Sequence, residues 1–114
     1  MNISQKNNIR SENAFERLIN ENGLGIIDLK IYQEQDSMIV ILNNGNAIKV
    51  KLSEFPILKK TSPNTRSKWK IIFNGKGIEW KSLNFDISLK NLLEENAVYS
   101  ALQKLQSPFP VEFV

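Results

Sequence analysis

The spacing of apolar residues predicts three strands in the first half of the chain. From residue 26 to residue 52 the apolar positions recur at every second residue, and residues 38–42 are almost continuously apolar. A period of two is typical of a half-buried strand, and a continuous run is typical of a central strand. Asn43-Asn44-Gly45 favours a tight hairpin because Asn-Gly tolerates positive φ. The pattern predicts a three-stranded antiparallel meander whose first strand buries Ile27, Leu29 and Ile31.

A helical spacing precedes the meander. Residues 12–22 are predicted to form a helix, for which Ser11 or Asn13 is a suitable N-cap and Gly23 a suitable left-handed exit. Its narrow apolar stripe consists of Phe15, Leu18 and Ile19. We expect this helix to lie on the surface of the domain or to dock on a second copy.

The next part of the chain predicts two short helical segments and a second hairpin. Residues 53–61 are predicted as a short helix or turn, and Ser62-Pro63 suits the start of another helix. A strand follows at Trp69, and Gly75-Lys76-Gly77 turns the chain into a short final strand, residues 78–80. Alternation places Trp69, Ile71 and Phe73 on one face and Lys70 and Ile72 on the other.

Two apolar stripes at helical spacing follow the second hairpin. The helix is predicted to begin at Ser88 or Asp86, since both residues are suitable caps. The helical spacing of the apolar residues changes phase at residues 94–96. This change predicts two consecutive helices, or one bent helix, ending before Pro108. The stripes consist of Leu89, Leu92 and Leu93, and of Val98, Ala101, Leu102 and Leu105. The apolar tail, residues 109–114, is predicted to be extended and to pack against the sheet or bind a neighbour.

These elements predict an α+β fold. It comprises a small antiparallel sheet, built from a three-stranded meander plus a two-stranded hairpin, with an added N-terminal helix and C-terminal helices. At 114 residues the chain is expected to form one domain with one core. We divide it into a leader and added helix (1–25), an α+β domain (26–96), and a helical extension with the apolar tail (97–114).

The composition removes several kinds of chemistry. The chain contains no cysteine and no histidine. Disulfides and thiolate nucleophiles are therefore excluded, and the commonest general base and metal ligand is missing. No apolar run reaches the ~18 residues of a membrane span, and the N-terminus lacks the apolar run of a signal peptide. We expect a cytoplasmic protein with no membrane partner, no metal and no other cofactor.

The positive charge is concentrated in residues 49–81, which carry nine Lys or Arg and two acids, whereas the whole chain has a net charge of +3. Such a concentration is typical of a surface that attracts an acidic partner or nucleic acid, but a solvated strand face explains it equally well. The candidate contact residues are Lys68, Lys70, Lys76 and Lys81. Because alternation places Trp69 and Phe73 opposite Lys70, we expect the aromatic residues in the core rather than on a stacking platform.

Glu79 and Asp86 are the candidates for acid–base chemistry, since two carboxylates in different environments can divide the acid and base roles. No third residue is placed to orient either one. A helix cap at Asp86 and a solvated strand residue at Glu79 are therefore favoured. The glycine pair at 75 and 77 joins two strands and lacks the Walker spacing, so it predicts a hairpin and not a phosphate loop. We expect no enzymatic activity and assign no catalytic residue.

The stretch from Ile39 to Leu93 contains an ordered set of motifs. They are Asn43-Asn44-Gly45, Phe55-Pro56-Ile57-Leu58, Pro63-Asn64-Thr65-Arg66-Ser67-Lys68-Trp69, and Gly75-Lys76-Gly77-Ile78-Glu79-Trp80 followed by Leu83, Asp86-Ile87-Ser88 and Leu92-Leu93. In this combination the chain resembles the longer form of the bacterial domain of unknown function 2442 (DUF2442). Lys81 stands where the family usually has proline, and Asn84-Phe85 where it commonly has an acidic pair. By this resemblance the structural motif residues are Trp69, Gly75, Gly77, Trp80, Asp86 and Ser88.

The resemblance implies an α+β fold without known catalytic activity and a partner protein encoded beside it, as in a toxin–antitoxin operon. It thus implies a non-catalytic protein-binding domain, the antitoxin-like partner of a small toxin. A nucleic-acid-binding regulatory module that uses the basic 49–81 face is the alternative, and a homodimer is left open. Residues 1–25 and those after Asn96 fall outside the resemblance, so partner choice is expected to reside there.

Overall fold

The structure, a computed structural model, describes the backbone of residues 14–106. It describes the side chains of the same residues except for Tyr99 and residues 101–106. The predicted apolar tail, residues 109–114, lies outside the described residues. Within residues 14–106, none of the helices combines the length and the apolarity needed to cross a bilayer.

Helix α1 spans residues 14–20 and carries the N-terminal apolar stripe. Ile19 is buried in the core, whereas Leu18 is 39% exposed, so the buried stripe is narrower than predicted. Gly23 follows the helix with φ +73°, which confirms the predicted left-handed exit. The two predicted cap residues lie outside the described residues: Ser11 and Asn13.

Sheet A is the predicted meander of β1 (Ile26–Tyr32), β2 (Ser37–Leu42) and β3 (Ala47–Lys51). The strands are antiparallel in the order β1-β2-β3. The central strand β2 buries Met38, Val40 and Leu42, as its apolar run predicted. Gly45 has φ +89° in the turn between β2 and β3, which confirms the Asn-Gly hairpin.

The start of β1 departs from the predicted alternation. The register against β2 shifts between Ile26 and Asp28, so that a bulge interrupts the strand there. Ile26 is 3% exposed and Ile27 is 57% exposed. The prediction that Ile27 faces the core is wrong because the bulge reverses the facing of the residues before it. From Leu29 onward the alternation is as predicted.

Three short helical segments connect sheet A to a second sheet. They are a 3-10 helix (Leu52–Glu54), α2 (Pro56–Lys60) and α3 (Pro63–Arg66). Both α-helices begin at a proline, as predicted, because proline is pre-organised for the first helical position. Ser62 caps α3, and its hydroxyl accepts a hydrogen bond from the Thr65 N–H at 3.2 Å.

Sheet B consists of β4 (Lys70–Ile72), β5 (Gly77–Trp80) and β6 (Phe85–Ser88). The strands are antiparallel in the order β4-β5-β6. The predicted two-stranded hairpin is therefore part of a three-stranded sheet, and its predicted final strand is the central one. The sequence pattern misses β6 because Asp86 and Ser88 are also typical helix caps, and four residues are too few to establish a period.

Phe73 lies on the surface, and the prediction that it shares the buried face of Trp69 and Ile71 is wrong. Strand β4 ends at Ile72, and Phe73 adopts φ +50° and is 77% exposed. Positive φ is uncommon for a bulky residue, and here it ends the alternation of the strand. Trp69 and Ile71 pack against the core as predicted.

Gly75 brings the two sheets into close contact. Its φ is +91°, and a Cβ at this position would lie 3.0 Å from both the Gly25 Cα and the Ile26 N. Both the backbone conformation and the space therefore require glycine. The β4–β5 turn can then rest directly on the backbone that enters β1.

Helix α4 runs from Leu89 to Gln106 as a single helix, which resolves the predicted choice between one helix and two. The Ser88 hydroxyl accepts a hydrogen bond from the Asn91 N–H at 3.1 Å, which confirms Ser88 as the cap. Asp86, the other predicted cap, lies within β6.

The two predicted stripes of α4 differ in burial. Leu89 and Leu92 are buried in the core and Leu93 packs against it, as predicted. Val98, the first residue of the second stripe, is 60% exposed. The side chains of the other residues of that stripe are not among those described.

Candidate functional site

The four lysines of the candidate contact site are all exposed and surround sheet B. They are Lys68 before β4, Lys70 on β4, Lys76 in the β4–β5 turn and Lys81 directly after β5. Lys70 lies opposite Glu79, and Glu79 lies opposite Asp86 on β6. Directly opposite residues share a face, so this row carries one cation and two acids. The lysines therefore border a face of mixed charge.

Arg66 does not contribute to a cationic surface, because it is only 3% exposed. Its guanidinium donates to the carbonyl oxygens of Leu58 (2.8 Å), Lys59 (3.3 Å) and Thr61 (2.7 Å), and to the Gln33 side chain at 2.9 Å. These backbone carbonyls lie at the C-terminal end of α2, where the helix dipole favours a cation. Arg66 thus stabilises the fold.

The two tryptophans are structural. Trp80 is fully buried, its indole N–H donates to the Arg66 carbonyl at 2.8 Å, and its ring lies 5.9 Å from that of Phe85. Trp69 is half-buried against the core. Gly77 is also constrained, since a Cβ there would lie 3.3 Å from the Ile87 carbonyl oxygen. The Trp80 indole is therefore not available as a platform for base stacking.

The predicted acid–base candidates, Glu79 and Asp86, are cross-strand neighbours on the outer face of sheet B. Neither residue lines the groove described below. Within residues 14–106 there is no group of three or more acidic side chains placed to hold a metal ion.

A groove of about 1120 Å³ lies between β3 and the segment of α4 from residue 94 to residue 100, and we call it the β3–α4 groove. Two flanking hydrogen bonds fix the pairing of β3 with β2: Leu42 N–H to the Asn46 carbonyl (2.9 Å) and Leu52 N–H to the Asp36 carbonyl (3.1 Å). Hydrogen-bonded pairs alternate along antiparallel strands. The residues whose backbone N–H and C=O point away from β2 are therefore Ala47, Lys49 and Lys51.

This outer side of β3 is a free sheet edge, since no strand within residues 14–106 pairs with it. The edge also lines the groove, so its unpaired backbone groups face a concave space. An edge of this kind is a template for another extended segment. The edge is five residues long, enough for a short added strand.

Side chains of both charge signs line the β3–α4 groove. Lys49 and Lys51 lie along β3, Glu94 and Glu95 lie along α4, and two further acids, Asp36 and Glu54, also line it. Its apolar lining comes from four residues: Ala47, Val50, Phe55 and Val98. The groove therefore suits an extended segment that presents apolar side chains to one face and polar or charged ones to the other.

Asp36 organises one end of the groove. Its carboxylate accepts hydrogen bonds from the Ser53 N–H (2.8 Å) and the Ser53 hydroxyl (2.6 Å), and lies 3.2 Å from the Lys59 ammonium. The Ser53 hydroxyl, followed by Lys59, lowers the pKa of Asp36 below its ordinary value. Ser53 and Lys59 thereby fix the β1–β2 turn against the segment that follows β3.

Sequence reasoning missed this groove. Its parts come from β1–β2, β3 and α4, which are up to 65 residues apart in the chain from Gln35 to Ser100. The available signal was the phase change at residues 94–96, which indicates that α4 turns a different face after its buried first half. The phase change does not indicate which strand lies beside the second half of α4.

The comparisons with known proteins concern the fold and the family. A family model described as "Protein of unknown function (DUF2442)" matches residues 26–98. A solved structure, the solution NMR structure of an uncharacterized protein from Chromobacterium violaceum, is 23% identical to this chain, with a TM-score of 0.58. The match covers 85% of this chain and 91% of that chain, and at this identity the likeness concerns the fold alone. No curated protein matches. Since the family model spans more than half of its residues, the chain belongs to the DUF2442 family of proteins of unknown function.

Proposed function

We propose that this chain is a non-catalytic domain that binds a protein partner, as the antitoxin-like member of a small bacterial toxin–antitoxin-type pair. The partner supplies an extended segment that pairs with the free edge of β3 inside the β3–α4 groove. The observation that carries the proposal is this unpaired edge, whose backbone groups line a groove.

The chemistry of the groove supports a protein segment as the ligand. Backbone hydrogen bonds to Lys49 and Lys51 would provide affinity that does not depend on sequence. The charged and apolar parts of the lining would select alternating polar or charged and apolar side chains, because alternate residues of a strand face opposite sides.

A nucleic-acid-binding module is the second candidate, and the four exposed lysines favour it. Two observations count against it. The row across sheet B places Glu79 and Asp86 beside Lys70, and Trp80 is buried while Trp69 packs half-buried against the core. A stacking surface for bases would need several exposed aromatics beside cations, and of Trp69, Phe73 and Trp80 only Phe73 is exposed.

The test is co-expression with the product of the neighbouring gene, followed by purification of the complex and a growth-rescue assay. Lys51→Pro is the informative variant. Lys51 has φ −81°, which proline adopts, and its N–H points to the free edge. The substitution should therefore leave sheet A intact and remove a hydrogen-bond donor from the groove.

Lys51→Ala is the matched control, because it removes the charge and keeps the N–H. We expect Lys51→Pro to weaken the complex and the growth rescue much more than Lys51→Ala. If no complex forms with the wild-type chain, the antitoxin-like proposal fails. If the complex forms and tolerates Lys51→Pro, the partner uses another surface.

A further inference from the structure

We infer that the outer face of sheet A, the side opposite the core, binds one acidic amphipathic helix of a partner protein. The inference goes beyond the proposed function, because it concerns the flat face of the sheet and not the edge of β3. Its evidence is the set of side chains that the strand register places on this face, together with the width and the charge of the face.

The outer face of sheet A has an apolar centre. The core residues of β2 alternate with Ile39 and Ile41, which therefore point to the other side of the sheet. Both isoleucines are half-buried, and neither packs in the core or against it. The bulge in β1 sets two residues, Ile27 and Asp28, opposite Ile41, and Ile27 is exposed. The bulge thus adds a third isoleucine to this face.

Lysines flank the apolar centre on both outer strands. Ile39 lies opposite Lys30 of β1 and opposite Lys49 of β3. Lys51 follows Lys49 on the same side of the strand. The acid on this face, Asp28, already pairs with Lys30 at 3.6 Å. Among the described side chains, Lys49 and Lys51 form no ion pair. The face therefore has a net positive charge that favours an acidic ligand.

The dimensions of the face match one α-helix. Neighbouring strands lie about 4.8 Å apart, so the two outer strands of sheet A are about 10 Å apart. This distance is close to the diameter of an α-helix with its side chains. Strand β1 has seven residues and is about 23 Å long, a length that a helix of about 16 residues covers. A helix along β2 would place its apolar stripe on Ile39 and Ile41 and its acidic flanks beside the lysines.

Two other occupants fit this face less well. Two copies of the chain docked face to face would bring two positively charged surfaces together, which is unfavourable. Single-stranded nucleic acid needs aromatic platforms beside the cations. Here the centre is aliphatic, and the aromatic residue of the face, Tyr32, lies at the end of β1. An apolar centre within a charged rim is instead typical of a protein interface.

The test is an NMR titration of the isotope-labelled full chain with two synthetic helical peptides of about 16 residues at physiological salt. Both peptides are alanine-rich and carry leucines along one face. The positions that flank the leucines are glutamate in one peptide and lysine in the other. We expect the glutamate peptide to shift the amide signals of Ile39, Ile41 and Lys49 and to leave those of Ile78 and Ile87, in sheet B, unchanged. The lysine peptide should cause no saturable shift.

Three variants test the contact. Ile39→Thr combined with Ile41→Thr removes the apolar centre and keeps β-branched residues in the strand, so the fold should persist. We expect it to weaken binding of the glutamate peptide by roughly tenfold or more. Lys49→Glu changes only an exposed side chain and should weaken the binding by a similar factor. Ile72→Thr is the matched control, because Ile72 is also half-buried outside the core, on β4, and it should bind as the wild type does.

Equal binding of the two peptides, or the absence of shifts on sheet A, would overturn the inference. Shifts of the same amides by oligothymidylate at physiological salt would also overturn it, in favour of a nucleic acid. So would a doubled molecular mass in light scattering that Ile39→Thr combined with Ile41→Thr abolishes, since a second copy would then cover the face. The Lys51→Pro experiment concerns the edge of β3 and does not depend on these results, so failure of this inference is distinguishable from failure of the proposed function.

Discussion

The indole N–H of Trp80 donates to the backbone carbonyl of Arg66 at 2.8 Å, and both residues are buried. The guanidinium of the same arginine donates to carbonyls at the end of α2. Arg66, in α3, therefore links α2 to β5, the central strand of sheet B. Arg66 belongs to the basic stretch of the sequence, but in the fold its buried side chain stabilises the contact between these elements.

Replacement of Trp80 by phenylalanine should destabilise the protein by about 2 kcal/mol or more, because the Arg66 carbonyl is left buried without its partner and the core loses volume. Urea denaturation followed by circular dichroism measures the change. Trp69→Phe is the control, since Trp69 is only half-buried and should lose less stability. Equal losses in the two variants would show that the hydrogen bond to Arg66 contributes little.

Replacement of Gly75 by alanine should cost about 3 kcal/mol, since the new Cβ meets backbone atoms at 3.0 Å and the residue keeps a positive φ. Gly45→Ala is a matched control because φ is also positive there and no atom lies within 4 Å of the added Cβ. It should cost about 1 kcal/mol, from the backbone alone. Thermal or urea unfolding measures the loss of stability in both variants. Equal losses would contradict the close approach of the two sheets at Gly75.

The lowered pKa of Asp36 predicts a specific dependence of stability on pH. The unfolded chain has the higher pKa, near 3.8, and therefore binds the proton more readily than the folded chain. The carboxylate contributes stability above that value, and the contribution is lost as the pH falls through the lower folded-state pKa. We expect the difference in unfolding free energy between wild type and Asp36→Asn to be largest at neutral pH and to shrink below about pH 4.

Ser53→Ala should reduce this pH dependence, because the Ser53 hydroxyl is the largest cause of the lowered pKa. Urea unfolding at a series of pH values measures the unfolding free energy of the wild type, Asp36→Asn and Ser53→Ala. If the difference in unfolding free energy between the wild type and Asp36→Asn is constant across the acidic pH range, the prediction is wrong.

The N-cap of α4 was predicted at either Ser88 or Asp86, and substitution of each residue tests which one acts as the cap. Ser88→Ala should destabilise the protein by about 1 kcal/mol, because the Asn91 N–H loses its acceptor. Asp86→Ala should have a much smaller effect, since Asp86 is exposed on β6 and makes no capping bond. A larger loss in Asp86→Ala, measured by urea unfolding, would restore Asp86 as the cap.

Simultaneous replacement of Lys68, Lys70, Lys76 and Lys81 by alanine tests the nucleic-acid alternative. We expect the variant to retain the protein complex, because none of these residues lines the β3–α4 groove. Any retention of DNA by the wild-type chain at low salt should disappear near physiological salt, as nonspecific charge interactions do. Binding that persists there and is abolished in the variant would favour the alternative.

The elements that were predicted correctly depend on local signals. The meander follows from a sustained period of two and from Asn44-Gly45, whose conformational preference acts over four residues. Ser88 is a helix cap in the structure as in the prediction, because a cap is a contact between residues three apart in the chain. The prolines mark the starts of α2 and α3, because the fixed φ of proline suits the first helical position.

The errors occur where tertiary contacts override a short pattern. Phe73 and Ile27 fit an alternating strand, but a positive φ and a bulge turn them outward. Strand β6 has only four residues, and its existence depends on pairing with β5. Arg66 resembles its cationic neighbours in sequence, and only the carbonyls that converge on it make it a buried residue.

By itself the sequence determined the α+β class, the meander, the absence of histidine and cysteine chemistry, and the resemblance that the family model confirms. Each of these depends on composition or on neighbours along the chain. Only the tertiary structure decided that the free edge of β3 faces α4 across a groove. That juxtaposition joins residues 47–51 to residues 94–100 and is set by how the core packs the first half of α4. No local pattern encodes the packing of elements that far apart, so the candidate site emerged only from the fold.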